Sequence, residues 1–461
     1  MTATLPPRRQ SAPSMALAAR LGLLPPRPDY RTELDVIRRF TRLSRLNFSV
    51  DAEFYPLGSC TMKHNPKLCD LASNLPGLRD LHPADLDGDS PQAGTLRAVL
   101  AELTDRLADL CGLAGFSLAP AAGAHGELAG CLIMRRYHRE RRDEARSEIL
   151  IPDSAHGTNP ATAAMAGFKA MTVRSKPDGR IDLDDLRARA GARTAGIMMT
   201  NPNTLGLFET RIAEAVEIVH EAGGLAYYDG ANLNAIVGVS SPGAMGFDIC
   251  HVNLHKTFAV PHGGGGPGAG PVGVGPNLVD LLPEPVFCEG RIARPEHSIG
   301  RMLAHGGNIA ALVRAWVYIE LMGRDGLRRA ARDAVLAANY VRVALKDLYP
   351  SSVSEAPCAH ECLLSAAKLK KEKGITALHV AKALIERRIH PPTIYFPLLE
   401  SEALLIEPTE SERVETLDEF IAAMREIAAM DLEALEKLPT WTPVRRPDEA
   451  TAARNPVLRG C

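Results

Sequence analysis

Lys256 stands in Asn253-Leu254-His255-Lys256-Thr257-Phe258, directly after an apolar run. Lysines are seldom buried without a partner or a task, so this position draws attention. Upstream by 27 residues, Tyr228-Asp229-Gly230-Ala231-Asn232 ends another apolar run in a carboxylate. An acid at the carboxyl end of a parallel strand lies in the crevice where α/β sheets bind ligands; the same aspartate could equally cap the segment that follows. Earlier still, Gly123-Ala124-His125-Gly126 separates a strand-like stretch from a helical one. Small residues let the backbone approach a ligand, and the free N–H groups of a helix start attract an anion. That turn reads either as a phosphate cradle or as a tight strand-to-helix connection. Taken together, an anion cradle, an acid for a ring nitrogen and a lysine for an imine are what pyridoxal phosphate requires. The acid keeps the ring protonated and electron-accepting, and the lysine exchanges the aldehyde with a substrate amine.

Other signals are weaker. Gly263, Gly265 and Gly268 spell GxGxxG, but Pro267 and Pro271 forbid the helix a dinucleotide fingerprint needs, and no GK[ST] follows for a P-loop. The run reads instead as backbone folding sharply beside a cofactor. Cys358-Ala-His360-Glu-Cys362 is the tightest cysteine grouping; it lacks a second ligand pair nearby and looks like a strand, so no metal site is expected there. Nine irregularly spaced cysteines in a large chain point to reduced thiols in the cytoplasm. A net charge of −2 leaves no footprint for nucleic acid or an anionic membrane, and no apolar run approaches membrane-spanning length.

The elements that must position these residues follow from periodicity. At 461 residues, two or three domains are expected. Leu96, Val99, Leu100, Leu103, Leu107 and Leu110 repeat at helical steps. A strand is expected over 116–119 and a helix from 127 to about 141. Further strands are expected over 149–151, 196–200, 225–228, 249–254 and 272–274, with a helix over 211–221. Strands alternating with helices predict a mostly parallel sheet covered on both faces. Helices follow over 314–321 and near 327–348. The expected division is an N-terminal extended arm (1–70) with one amphipathic stretch over 33–46, a large cofactor domain (71–335), a smaller C-terminal α/β domain (336–437) and a proline-rich extended tail (438–461). Six prolines within the first 28 residues argue against a presequence helix and for an arm lying on a partner subunit.

At this point the chain resembles a known family, the cofactor-bearing subunit of the glycine cleavage system P-protein, a decarboxylating glycine dehydrogenase. The matching stretches include Tyr55-Pro-Leu-Gly-Ser-Cys-Thr-Met-Lys63, Asp153-Ser-Ala-His-Gly-Thr-Asn-Pro-Ala161, Met199-Thr-Asn-Pro-Asn-Thr-Leu-Gly-Leu-Phe-Glu209 and the run over 254–271. They also include Ser298-Ile-Gly-Arg301, His390-Pro-Pro-Thr-Ile-Tyr-Phe-Pro397 and Glu407-Pro-Thr-Glu410. The resemblance implies the fold-type-I, aspartate-aminotransferase-like architecture and pyridoxal 5'-phosphate as cofactor. It implies release of the glycine carboxylate as CO2 and transfer of the aminomethyl group to the lipoyl arm of H-protein. It further implies a similar-sized P-protein subunit 1 as partner, two copies of each subunit forming the complex.

Carried over, Lys256 is the imine lysine, Asp229 the ring-nitrogen partner, and Gly123 and Ala124 the phosphate amides, helped by Thr257. His156 resembles the residue that stacks on the ring and relays a proton; it could also simply cap the turn after the strand over 149–151. Asn203 or Thr204 is placed at the ring hydroxyl, Ala231 and His255 in the cofactor's surroundings, and Ser59, Cys60 and Thr61 on the substrate side or in a loop packing the entrance. Where the family carries a tyrosine this chain has His64, and in place of an aromatic pair it has His305-Gly306; both bear on lipoyl-arm access or docking. The rivals are another fold-type-I enzyme, such as an aminotransferase or cysteine desulfurase, and a partner-binding subunit without activity.

Overall fold

A computed structural model describes residues 32–262 and 268–456. Residues 1–31 of the N-terminal arm, the glycine-rich run over 263–267 and the last five residues lie outside the described residues. Seven strands form the main sheet in the order β1-β7-β6-β5-β4-β2-β3. They are β1 (Gly115–Ser117), β2 (Glu148–Pro152), β3 (Lys169–Val173), β4 (Thr194–Thr200), β5 (Leu225–Gly230), β6 (Ile249–Val252) and β7 (Val272–Val274). Pairs from β3 through β6 run parallel, and β7 is antiparallel to both neighbours. The central strands are buried along their length, as expected of a sheet covered on both faces. Edge strand β3 was not expected: in Lys-Ala-Met-Thr-Val only Val173 is buried, and the stretch offers no apolar run to the eye.

The helix expected from 127 begins at Gly123 instead and runs Gly123–Glu140. Gly123 and Gly126 therefore lie in its first turn, and neither has a positive φ. Their missing side chains serve close packing. A Cβ on Gly123 would sit 2.5 Å from Asn253 Oδ1, and one on Gly126 would sit 2.6 Å from the Gly270 carbonyl oxygen. The strand expected to reach 254 stops at Val252 because Leu254–Thr257 turns into one helical turn, carrying Lys256 away from the sheet.

After a two-stranded pair, β8 (Val286–Cys288) and β9 (Arg291–Ala293), the chain enters Ile309–Leu345, two helical stretches abutting at Gly323. The buried core changes hands along this element. Residues up to Ala331 pack with the main sheet, while those from Ala338 pack with a second core built around β10 (Cys362–Ser365), β11 (Thr393–Ile394) and β12 (Ala403–Ile406). These three strands form one antiparallel sheet in the order β10-β12-β11.

Two compact units divide the chain, residues 49–438 and residues 1–48 with 439–461. The expected arm boundary at 70 therefore shifts. Residues 49–70 group with the larger unit, because Gly58 N donates to the Leu405 carbonyl at 3.2 Å and Leu57 bridges to Ile406. In the smaller unit, Thr32 forms a capping box with Asp35 at the start of helix Glu33–Ser44. The tail expected to be extended carries a short helix, Glu449–Arg454, capped by Asp448.

Candidate active site

Strand register sets three side chains in a row. Thr200 on β4 is level with Asp229 on β5, which is level with His251 on β6. All three lie at the carboxyl ends of parallel strands, where such sheets open to ligands. Asp229 is 1% exposed. Its Oδ2 accepts from Asn159 Nδ2 at 2.9 Å and Thr200 Oγ1 at 3.4 Å, and its Oδ1 accepts from the Ala231 amide at 3.1 Å. His251 Nε2 stands 3.6 Å from Asp229 Oδ1. Burial pushes His251 down to about 4, outweighing the pull of Asp229, so the imidazole is neutral and the two are not an ion pair. The other ring nitrogen of His251 meets the Tyr227 hydroxyl.

Lys256, 8% exposed, follows β6 by four residues. The rings around it are held neutral: burial pushes both His255 and His262 down to about 4, with Lys256 adding to each shift. Among the described residues, His255 Nδ1, His262 Nε2 and Asn253 Oδ1 are buried without a hydrogen-bond partner. The adjoining helix starts at Ala122 without a side-chain cap, leaving the amides of Gly123 and Ala124 to face an anion. Thr257 Oγ1 accepts from the Leu233 amide at 3.0 Å and keeps its own proton to donate. An uncapped helix start, a buried acid near the end of β5 and a buried lysine in the helical turn that follows the adjacent parallel strand β6, with orphaned polar atoms on Asn253, His255 and His262, fit pyridoxal phosphate. His156 is half-buried; its amide donates to Thr200 Oγ1 at 3.0 Å and its Nδ1 meets Thr158 Oγ1 at 2.8 Å.

The loop over 59–61 is bolted down by acids that the sequence reading did not single out. Ser59 and Thr61 adopt left-handed φ values of 63° and 46°, uncommon for such residues. The Ser59 amide donates to Glu361 Oε2 at 2.7 Å. Thr61 donates through both its amide and its hydroxyl to Glu407, and Asn232 Nδ2 donates to Thr61 Oγ1 and Glu407 Oε1. Burial, followed by the nearby Glu407, pushes Glu361 up to about 8. Between these bolts, Cys60 comes within electrostatic reach of Lys256, although burial dominates and raises its thiol. Buried Lys63 closes the loop, donating to Glu410 at 2.7 Å, the Thr257 carbonyl at 2.8 Å and the Tyr318 hydroxyl at 3.2 Å.

Asn203 takes a different task from the one expected. Its Nδ2 donates to the Gly179 carbonyl and Glu209, and its Oδ1 accepts from the Leu205 and Leu207 amides. All four hydrogen-bonding capacities of the amide are thus engaged, three within its own loop and one on the distant Gly179, leaving none for a ring hydroxyl. The Thr204 hydroxyl donates to the Ser154 carbonyl and retains only acceptor capacity. The Cys358-to-Cys362 segment is buried around the start of β10; burial pushes Cys358 up to about 12 and also raises Cys362 well above the usual thiol range. Glu127, Thr158, Asn159 and Thr200 escaped notice as site residues because a lone polar residue carries no periodic signal.

Residues 330–439 match the family model described as glycine dehydrogenase, C-terminal domain. A probable glycine dehydrogenase (decarboxylating) subunit 2 from Methylococcus capsulatus is 52% identical over 446 residues, covering 94% of this chain and 90% of that protein. The corresponding protein of Caldanaerobacter subterraneus is 52% identical over 437 residues, covering 93% and 89%. Among solved structures, an inhibitor-bound glycine decarboxylase (P-protein) of the glycine cleavage system superimposes with a TM-score of 0.71 at 21% identity, covering 93% of this chain and 100% of that one. A cysteine desulfurase from Thermococcus onnurineus reaches 0.64 at 16%, covering 82% and 95%. At those identities the structures speak for the fold, that of fold-type-I pyridoxal-phosphate enzymes. The relatives speak for more: sharing about half its residues with them over nearly their full length, the chain belongs to the family of glycine dehydrogenase (decarboxylating) subunit 2.

Proposed function

We propose that this chain decarboxylates glycine with pyridoxal phosphate and transfers the aminomethyl group to the lipoyl arm of H-protein, acting with a P-protein subunit 1. The observation that carries this reading is the placement of Lys256, Asp229 and the uncapped start of Gly123–Glu140 at one end of one sheet, in a chain whose relatives bear that name. Pyridoxal phosphate, when bound, supplies an electron sink for the pair left as the carboxylate departs.

The chain's own residues do the rest. Lys256 binds the cofactor's aldehyde, and its neutral histidine neighbours add no competing charge. Asp229, fixed by Asn159, Thr200 and the Ala231 amide, holds a proton on the ring nitrogen. The amides of Gly123 and Ala124, with the Thr257 hydroxyl, bind the phosphate. His156 covers the ring and moves a proton. Ser59, Cys60 and Thr61 line the substrate side, and the acids behind them keep that loop in its left-handed form. We assign the chain to the cytoplasm: the eight described cysteines are all unpaired, and no described helix is long and apolar enough to cross a membrane.

The deciding experiment is exchange of labelled bicarbonate into glycine, run on the chain alone and with a co-expressed subunit 1, plus lipoylated H-protein. Exchange that depends on H-protein is expected. Transamination or cysteine desulfuration without such exchange would overturn the assignment.

A further inference from the structure

Glu127 lies one turn into the helix that starts at Gly123 and is 2% exposed. Its oxygens receive three hydrogen bonds. Thr158 Oγ1 donates to Oε1 at 2.6 Å, while Asn159 Nδ2 and Thr162 Oγ1 donate to Oε2 at 3.0 and 3.3 Å. An ionised carboxylate can only accept, so each contact fixes the direction of its partner's proton. The Thr158 hydroxyl has a single proton, and it points at Glu127. Where the same oxygen meets His156 Nδ1 at 2.8 Å, it must therefore accept. The ring proton of His156 then sits on Nδ1 and Nε2 is bare. On the other side, Asn159 Nδ2 divides its two protons between Glu127 and Asp229, at 3.0 and 2.9 Å. One buried acid is thus linked to both residues assigned above to the cofactor ring.

We infer that Glu127 is a positioning residue that holds His156 in its Nδ1–H form through Thr158, leaving Nε2 to accept a proton, and that steadies Asp229 through Asn159. The inference rests on the roles proposed for His156 and Asp229, yet the tautomer itself is a property of the folded chain, measurable without turnover. Burial and Asp229 push Glu127 up to about 7, against the pull of its three donors. The measurement therefore belongs above that range, where the carboxylate is ionised.

Glutamine at this position cannot reproduce the arrangement. Turned toward Thr158, its NH2 forces the hydroxyl to reverse and donate to His156, moving the ring proton to Nε2. Turned toward Asn159, it sets donor against donor and breaks the link to Asp229. Because that second strain could disturb folding, Thr158→Val provides an independent cut that leaves Glu127, Asn159 and Asp229 joined, and Thr158→Ser restores the hydroxyl.

The experiment is nitrogen NMR of the cofactor-loaded enzyme with 15N-labelled histidine at pH ~8.5, well above the ordinary histidine pKa. The His156 signals are identified by their loss in His156→Gln. In the wild type and Thr158→Ser, a protonated Nδ1 and a bare Nε2 are expected. In Thr158→Val, the proton should redistribute toward Nε2, the form free imidazole favours. In Glu127→Gln, where it folds, the Nδ1–H form should lose its dominance. A wild-type His156 protonated mainly on Nε2, or identical His156 signals in wild type and Thr158→Val, would overturn the inference. If the tautomer appears as stated while bicarbonate exchange is absent, the reaction assignment fails and this one stands.

Discussion

A buried amine with neutral rings, one thiol and the buried Glu361 in its surroundings is costly unless each group has a purpose. At the residue scale that cost identifies Lys256 and Asp229. Lys256→Ala should abolish covalent retention of the cofactor, measured as visible absorbance and borohydride-trapped label; retention of trapped label at wild-type level would disprove its role. Lys256→Arg should fail equally, since a guanidinium is not a nucleophilic amine. Asp229→Asn should keep the fold but lower the decarboxylation rate by more than ~10-fold, about 1.4 kcal/mol. An amide can accept on one side only, whereas Asp229 accepts on both. A rate within about tenfold of wild type, in stopped-flow or exchange assays, would remove Asp229 from the ring nitrogen.

At the element scale, the start of Gly123–Glu140 shows packing overruling propensity. Within a helix, Gly→Ala normally stabilises by ~0.5–1 kcal/mol. Gly126→Ala should do the reverse and cost ~1–3 kcal/mol, because its Cβ would meet the Gly270 carbonyl at 2.6 Å and His251 Cβ at 2.8 Å. Gly94→Ala, whose nearest neighbour would be Arg97 Nη2 at 3.9 Å, should follow the usual rule. Urea titrations of both variants test the contrast; a stabilised Gly126→Ala would show that this helix start has room to spare. The clamp on the 59–61 loop carries a pH signature. Glu361 is raised from 4.5 to about 8 by burial and by Glu407, so the folded chain binds a proton there that the unfolded chain has released. Stability contributed by this group is full below 4.5 and is lost as pH rises toward about 8. Glu361→Gln, a neutral stand-in that still accepts from Ser59, should lose less stability across that window; thermal melts at a series of pH values that remain parallel to wild type would refute this.

At the scale of the whole molecule, helix Glu33–Ser44 presents Leu34, Ile37, Phe40 and Leu43, all exposed, on one side, and Arg38, Arg39 and Arg42 on the other. A capped amphipathic helix with no buried residue suits an arm that lies on another subunit. Replacing Ile37 and Phe40 together by Asp should prevent co-purification with a subunit 1 partner while leaving the melting temperature of this chain within about 2 °C, since surface changes are near neutral. Undiminished co-purification would place the contact elsewhere.

Much of the design was legible in the chain itself. Apolar runs marked the central strands because a sheet buried on both faces tolerates little else, and the punctuation after those runs located Asp229 and Lys256. The helical repeat over 96–110 and the amphipathic stretch near 33–46 were equally plain, since periodicity is a local property. What the sequence left open was decided by partners distant along the chain. Whether Gly123-Ala-His-Gly126 is a turn or a helical start depended on Asn253 and Gly270, which approach too closely for side chains. That Asn203 ties its own loop to Gly179, that Glu361 and Glu407 hold residues 59–61, and that Glu127 joins His156 to Asp229 could not be read locally. Each is a single polar residue whose meaning lies in which donors the fold brings within about 3 Å of it, and only the tertiary structure sets those distances.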